Sequence, residues 1–208
     1  MKLTKYEHAC FTLEKDGKLI VVDPGDWTTD FIMPENVIAI VITHSHPDHC
    51  DPTIVRKIIT SNPKTQVYAH SDIIRKLGSS IESRPVVAGD QIEVGPFQLA
   101  FFGGKHALIH SDIPQITNLG VMVNNSLYYP GDSFDAPDRP VKVLALPVSA
   151  PWMRLSEAMD FCKEVNAELV FPTHDAILSK TGKQLVDRML KPYSNAYARL
   201  TESIEIDG

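Results

Sequence analysis

The sequence has few cysteines, no excess of basic residues and no long apolar run, and each absence excludes a class of protein. The three cysteines among the 208 residues form no paired motif, which indicates a reducing compartment. The formal net charge of −6 gives no basic surface for nucleic acid. No stretch approaches the roughly 20 apolar residues that cross a bilayer, and residues 1–7 lack the apolar core of a signal peptide. We therefore expect a cytoplasmic protein with neither nucleic-acid nor membrane partners.

The most informative segment holds four potential metal ligands within six positions. They are His44, His46, Asp48 and His49. They directly follow the apolar run 37–43, which predicts a buried strand. Imidazoles and carboxylates bind borderline divalent metals such as zinc, and a cluster at the end of a strand is rigid enough for catalysis. A His-rich surface loop with adventitious metal affinity would need neither this spacing nor the strand. Asp51 and Pro52 then predict the start of a helix, so the cluster lies in a strand-to-helix turn.

The pattern His44-x-His46-x-Asp48-His49 after a strand ending in Thr43 resembles the signature of the metallo-β-lactamase-fold hydrolases. The resemblance implies an α/β protein built as an αββα sandwich, in which two mixed sheets pack face to face with helices outside. It also implies a one- or two-metal site at the sheet edges. The further ligands should then be one His, one Asp and one His, in that order along the chain.

The sequence offers candidates for all three later ligands. Asp132, in the turn 130–133, resembles the Gly-Asp turn of the family, whose Asp bridges two metals. His174 closes the short apolar strand 169–173 and resembles the last ligand. The third His is either His106 or His110. The glycine pair before His106 lets the backbone turn sharply toward a metal, and His106-Ala107 resembles the lactonase-like branch of the superfamily, so we favour His106.

Other residues have both a functional and a structural interpretation. The stretch from His8 to Phe11 resembles one in proteins similar to ascorbate-6-phosphate lactonase, so His8 either lines the pocket or is an ordinary packed histidine. Asp23 ends a strand, where an Asp most often fastens a loop by hydrogen bonds. Cys50 is either a metal ligand or, more commonly for such a residue, a small buried thiol. Trp152 either walls the pocket or packs in the core, and the loop 107–115 is a candidate lid.

Hydrophobic patterning and turn residues predict one domain over residues 1–208. The predicted strands cover residues 2–6, 9–14, 18–23, 37–43, 66–69, 90–94, 97–102, 117–123, 126–130 and 141–146. The predicted helices cover residues 52–60, 72–78, 155–165 and 181–191. His70, between a strand and a helix, is expected to be structural or on the surface.

The resemblance implies two divalent metal ions, with Asp132 touching both. One would be held by His44, His46 and His106, and the other by Asp48, His49 and His174. Zinc suits these ligands, as do manganese and iron. A metal-bridging hydroxide would then hydrolyse a small-molecule ester, lactone or phosphodiester, with Asp48 orienting the nucleophile or accepting its proton.

Two other functions stay open at this point. One is a non-catalytic metal-binding or sensor protein on the same fold. The other is a redox protein, which is disfavoured because the second position of the motif is His46 and the chain has no glycine-rich phosphate loop. The sequence also leaves a homo-oligomer open.

Overall fold

The computed structural model describes residues 1–208 and contains two mixed β-sheets. The first sheet consists of β1 (Lys2–Lys5), β2 (Phe11–Lys15), β3 (Lys18–Val22), β4 (Val37–Ile42), β5 (Gln66–Ala69), β6 (Ser83–Pro85) and β13 (Ile204–Glu205). The second consists of β7 (Gln91–Val94), β8 (Phe97–Gly103), β9 (Leu119–Val123), β10 (Leu127–Tyr129), β11 (Val143–Pro147) and β12 (Leu169–Thr173).

Each sheet has an antiparallel half and a parallel half. The first sheet has the order β13-β1-β2-β3-β4-β5-β6, antiparallel up to β3 and parallel from β3 to β6. The second has the order β12-β11-β10-β9-β8-β7, parallel from β12 to β10 and antiparallel beyond. The parallel strands β4, β11 and β12 are largely or fully buried, as expected for strands covered on both faces.

Four α-helices cover the outer faces of the sheets. They are α1 (Pro52–Ser61), α2 (Ser71–Leu77), α3 (Leu155–Val165) and α4 (Lys180–Leu190). Asp51 caps α1 by accepting a hydrogen bond from the Thr53 N–H at 2.7 Å, with Pro52 in the first turn, as the sequence predicted. No helix of the structure is both long and apolar enough to span a bilayer.

The core forms three apolar layers that correspond to the αββα arrangement. The central layer lies between the sheets and includes Phe11, Phe97 and Phe171. A second layer, around Val55, joins the first sheet to α1 and α2, and a third, around Phe161, joins the second sheet to α3 and α4. Burial of these side chains drives the packing of helices on sheets. The predicted αββα sandwich is confirmed.

The structure differs from the predicted elements mainly at their ends. The strand predicted from residue 117 begins at Leu119, because Asn118 instead pairs with His44 at the end of β4. The short edge strands β6 and β13 and a 3₁₀ turn, Lys191–Tyr193, were not predicted. Strands of two or three residues are too short to show an alternating pattern, and Pro85 is tolerated because β6 is at the sheet edge.

Candidate metal centre

The seven predicted ligands meet where the ends of strands from both sheets adjoin. His44, His46, Asp48 and His49 follow β4 of the first sheet. His106, Asp132 and His174 follow β8, β10 and β12 of the second. The Leu119 N–H donates to the Thr43 carbonyl oxygen at 2.9 Å, which joins the two sheets beside the cluster. The structure therefore brings together residues that are up to 130 positions apart in the sequence, from 44 to 174.

One group of possible ligands, the His106 group, consists of His44, His46, His106 and Asp132. Each residue offers one potential metal-ligating atom, and these four atoms all lie within 4.8 Å of one another. Asp132 Oδ2 is 3.3 Å from His106 Nε2 and 3.9 Å from His44 Nε2. All of these side chains except His46 are buried. Three imidazoles and a carboxylate within this distance match the ligand set of a divalent metal site.

A second group, the His174 group, consists of His8, Asp48, His49 and His174, also within 4.8 Å. Asp48 Oδ2 is 3.4 Å from His174 Nε2 and 3.7 Å from His49 Nε2. Asp132 reaches this group as well, because its Oδ1 is 3.3 Å from His49 Nε2 and its Oδ2 is 3.1 Å from His174 Nε2. Asp132 is therefore positioned between the two groups, as a bridging carboxylate would be.

Hydrogen bonds at Nδ1 fix the tautomers of four of these histidines. Nδ1 of His49 faces Asp23 Oδ2 at 2.8 Å, Nδ1 of His106 faces the Ala107 carbonyl at 2.6 Å, and Nδ1 of His174 faces the Ser149 carbonyl at 2.6 Å. Since these oxygens only accept, each Nδ1 must carry a proton. Thr43 donates its hydroxyl to Asp23 and accepts from Nδ1 of His44 at 3.1 Å.

The Nε2 atoms of these rings consequently point into the cluster. Nε2 of His44, His49 and His106 and Oδ1 of Asp132 are buried and make no hydrogen bond. Buried polar atoms nearly always have a partner, so four unsatisfied ones facing each other require an explanation. A divalent cation ligated by Nε2, with Nδ1–H held by an oxygen, is the usual arrangement of metal-binding histidines. The residues present fit a metal centre.

The pKa shifts of the buried carboxylate and imidazoles also agree with a bound cation. Burial alone would raise the pKa of Asp132, but the imidazoles of His49, His174 and His44 keep it well below its usual value. Burial would lower the pKa of His174, yet Asp132 and Asp48 raise it to about 10. His44, with less compensation, has its pKa lowered well below the ordinary value by burial. The two carboxylates therefore need positive charge beside them, either as protons on imidazoles or as cations.

Two glycines let the backbone approach closely around the cluster. A Cβ on Gly25 would stand 1.8 Å from the Asp48 carbonyl oxygen, so only glycine allows the loop after β3 to pack on the ligand turn. Gly131 has φ +65° and precedes Asp132, and a Cβ there would meet Asn118 Oδ1 at 2.3 Å. Glycine is required at both positions for steric reasons.

Several residues with an ambiguous interpretation lie outside the cluster. The His110 side chain is 62% exposed, and its Nδ1 accepts from the Asp112 N–H at 3.2 Å. Cys50 packs with the apolar layer beneath α1, where burial raises the pKa of its thiol to about 12. His70 precedes α2 as its N-cap residue. The loop 107–115 contains no helix or strand and exposes Leu108 and Ile113, and its role as a lid stays a prediction.

Two residues form hydrogen bonds with Asp132 that the sequence did not predict. Trp152 Nε1 donates to Asp132 Oδ2 at 2.8 Å, whereas the sequence suggested only an aromatic wall or ordinary packing. Asn118 accepts from the Asp132 N–H at 3.0 Å and donates to the Pro130 carbonyl at 2.8 Å. Neither residue is near Asp132 in the sequence, so no local motif could have identified them.

Comparison with known proteins agrees with the fold. The family model of the beta-lactamase superfamily domain matches residues 2–174. Protein Rv0786c of Mycobacterium tuberculosis is 34% identical over 212 aligned residues, covering 100% of this chain and 94% of the relative. A UPF0173 metal-dependent hydrolase of Aeropyrum pernix is 35% identical over 97 residues, covering 44% of this chain and 38% of the relative. Igni18, a metallo hydrolase of Ignicoccus hospitalis, superimposes with a TM-score of 0.75 at 20% identity, covering 99% of each chain.

The chain belongs to the beta-lactamase superfamily domain family, whose model covers most of its length. The predicted membership of the metallo-β-lactamase superfamily, and with it the class of metal-dependent hydrolase, is confirmed. Membership of the lactonase-like branch and the seven individual ligand roles stay predictions.

Proposed function

We propose that this metal-dependent hydrolase of the metallo-β-lactamase superfamily binds two divalent metal ions and hydrolyses a small-molecule ester, lactone or phosphodiester. Bound at this cluster, the two cations would supply Lewis-acid activation of the scissile group and lower the pKa of the attacking water. The observation that carries the proposal is the set of buried Nε2 atoms on His44, His49 and His106 that face the cluster without a partner.

The residues divide between two metal positions in this proposal. The His106 group would hold one cation and Asp48, His49 and His174 the other, with Asp132 contacting both. Oxygen acceptors on Nδ1 keep the imidazoles of His49, His106 and His174 in the orientation that presents Nε2. Zinc fits this mixture of imidazole and carboxylate, and manganese and iron are the other candidates.

Asp48 has a second role in the proposal. Its side chain is 16% exposed, whereas Asp132 is almost fully buried, so Asp48 is the carboxylate of the cluster that solvent reaches. Burial opposes its ionisation, but the neighbouring imidazoles, with His174 and His8 foremost, hold its pKa well below the usual range. An ionised carboxylate in this position is able to orient an attacking water by accepting a hydrogen bond from it.

A cleft beside the cluster supports a small organic substrate. Its volume is about 430 Å³, and its lining includes His106, Leu108, Phe134 and Trp152. Small-molecule sites commonly have volumes of about 300–1,000 Å³ and combine apolar walls with a few polar groups. The His106-Ala107 resemblance places lactones first among the substrates to test. Nucleic acid and membrane partners are not part of the proposal.

Metal analysis combined with a substrate screen tests the proposal. Protein purified without chelator and then reconstituted with zinc, manganese or iron should contain two metals per chain by elemental analysis. The same samples should turn over at least one member of a panel of lactones, esters, thioesters and phosphodiesters. Chelator-treated protein, checked by circular dichroism, is the control and should be folded and inactive.

The two competing functions give different results in this experiment. A stoichiometry at or below one metal after all three reconstitutions would contradict the two-metal site. Two metals without turnover on any panel member would favour the non-catalytic metal-binding protein. Oxygen consumption with the iron-loaded sample would favour the redox protein.

A further inference from the structure

We infer that His8, which is outside the predicted ligand set, is a positioning residue that holds Asp48 in its place in the His174 group. The inference rests on the proposed function, since it assigns a role to His8 only in relation to a metal at that group. The observation behind it is a hydrogen bond of 3.0 Å between His8 Nε2 and Asp48 Oδ2.

The direction of this hydrogen bond follows from the other ring nitrogen. The Ala176 N–H points at His8 Nδ1 at 3.4 Å, and a backbone N–H can only donate. Nδ1 is therefore the acceptor, and the proton of the ring is on Nε2, where it donates to Asp48. This is the opposite tautomer from His49 and His174, whose protons are on Nδ1. His8 therefore donates a hydrogen bond to Asp48 in the cluster, whereas His49 and His174 present the lone pair of Nε2 to the cluster.

The surrounding contacts hold the His8 ring in one orientation. The side chain is fully buried, and its ring lies 4.6 Å from Trp27 and 4.1 Å from His174, measured between ring centroids. Its φ of +55° is in the left-handed region, which non-glycine residues rarely adopt. Two donors stabilise that backbone by binding its carbonyl oxygen, Lys5 Nζ at 2.6 Å and the His174 N–H at 3.1 Å. His8 thus contacts the backbone of one proposed ligand and the side chain of another.

Asp48 depends on His8 because its other neighbours cannot serve as donors once they are ligands. His49 Nε2 and His174 Nε2 are close to Asp48 Oδ2, but in the proposed function both would use Nε2 on the same cation. His8 would then be the remaining side chain that donates to Asp48. A ligating carboxylate that loses its outer hydrogen bond typically loses about 10- to 100-fold in metal affinity.

Two variants of equal side-chain length test the hydrogen bond separately from packing. His8→Gln places an N–H near the position of Nε2, whereas His8→Met has similar length and no donor. Zinc titrations of the full-length protein against a competing chelator should show two binding steps. In His8→Met one step should weaken by about 10- to 100-fold and the other should stay within about 3-fold of wild type. In His8→Gln both steps should be close to wild type. Circular dichroism verifies that each variant is folded.

Each alternative outcome is informative. Wild-type affinities in His8→Met would overturn the inference, as would equal losses in His8→Met and His8→Gln, because the imidazole itself would then be required. If Met at φ +55° prevents folding, His8→Asn tolerates that backbone, falls short of the Nε2 position and must show the same one-step loss. Wild-type protein that binds one zinc or fewer contradicts the proposed function and this inference together. Two zinc ions with an unaffected His8→Met contradict this inference alone.

Discussion

The His106 group and the His174 group use similar side chains but are held in place by different kinds of partner. In the His106 group, His44 and His106 form their Nδ1 hydrogen bonds with Thr43 and Ala107, their immediate neighbours in the chain. In the His174 group, the corresponding partners are distant in sequence.

The partner of His49 is 26 residues away, that of His174 is 25 residues away, and His8 is 40 residues from Asp48. The C-terminal segment also contributes, because Asp175, next to His174, is paired with Arg199 and lies 3.4 Å from Lys183. The Nδ1 hydrogen bonds of the first group are therefore local, whereas those of the second are formed by the tertiary fold. We expect substitutions at these distant partners of His49, His174 and Asp48 to weaken metal binding in the His174 group selectively.

Removing a ligand of the His106 group should have the largest effect on metal content and activity. It should also decide whether His106 or His110 is the third histidine ligand. We predict that His106→Ala removes most of one metal per chain and abolishes hydrolysis, because it deletes a buried Nε2 that faces Asp132 at 3.3 Å. His110→Ala is the matched control, since its ring is exposed and outside the cluster, and its metal content should be normal. Elemental analysis and turnover measure both. The opposite pattern would assign the third His ligand to His110.

Asp132 contacts both groups, so its substitution tests whether they function as one site. We predict that Asp132→Asn folds normally and loses activity by orders of magnitude, more severely than it loses total metal. The amide keeps the shape of the side chain and its contact with Trp152 but removes the charge that offsets repulsion between two cations. Asp138→Asn, an exposed aspartate in the same loop, is the control. Unchanged turnover in Asp132→Asn would mean that Asp132 is only a turn residue.

The same comparison explains how far the sequence could predict this site. The αββα fold and the seven clustered residues could be predicted because short motifs, each following an apolar strand, resemble those of the metallo-β-lactamase superfamily. The link between His8 and Asp48 and the indole donor from Trp152 to Asp132 could not, since these partners meet only when the two sheets pack. Asp23 was expected to fasten a loop, and its contact with the ring of His49 needed the pairing of β3 with β4.

Substitution of Asp23 should have the smallest effect on metal binding, and that effect should be the most selective for one of the two groups. Its Oδ2 accepts from Nδ1–H of His49 at 2.8 Å and from the Thr43 hydroxyl at 2.6 Å, and its Oδ1 accepts from the Thr43 N–H at 2.8 Å. In Asp23→Asn, Oδ1 can still accept from the Thr43 N–H, so the amide nitrogen would face His49. That N–H would favour the tautomer of His49 with its proton on Nε2, which cannot bind a metal.

We therefore predict that Asp23→Asn weakens one of two zinc-binding steps by about 10- to 100-fold and leaves the step of the His106 group nearly unchanged. Competition titration with a chelator measures both steps, and Asp26→Asn, an exposed residue of the same loop, is the control. The thermal unfolding of metal-free protein distinguishes a general loss of stability from this selective effect. Equal weakening of both steps would contradict the separation of the two groups, because Asp23 would then support the whole cluster through Thr43 and His44.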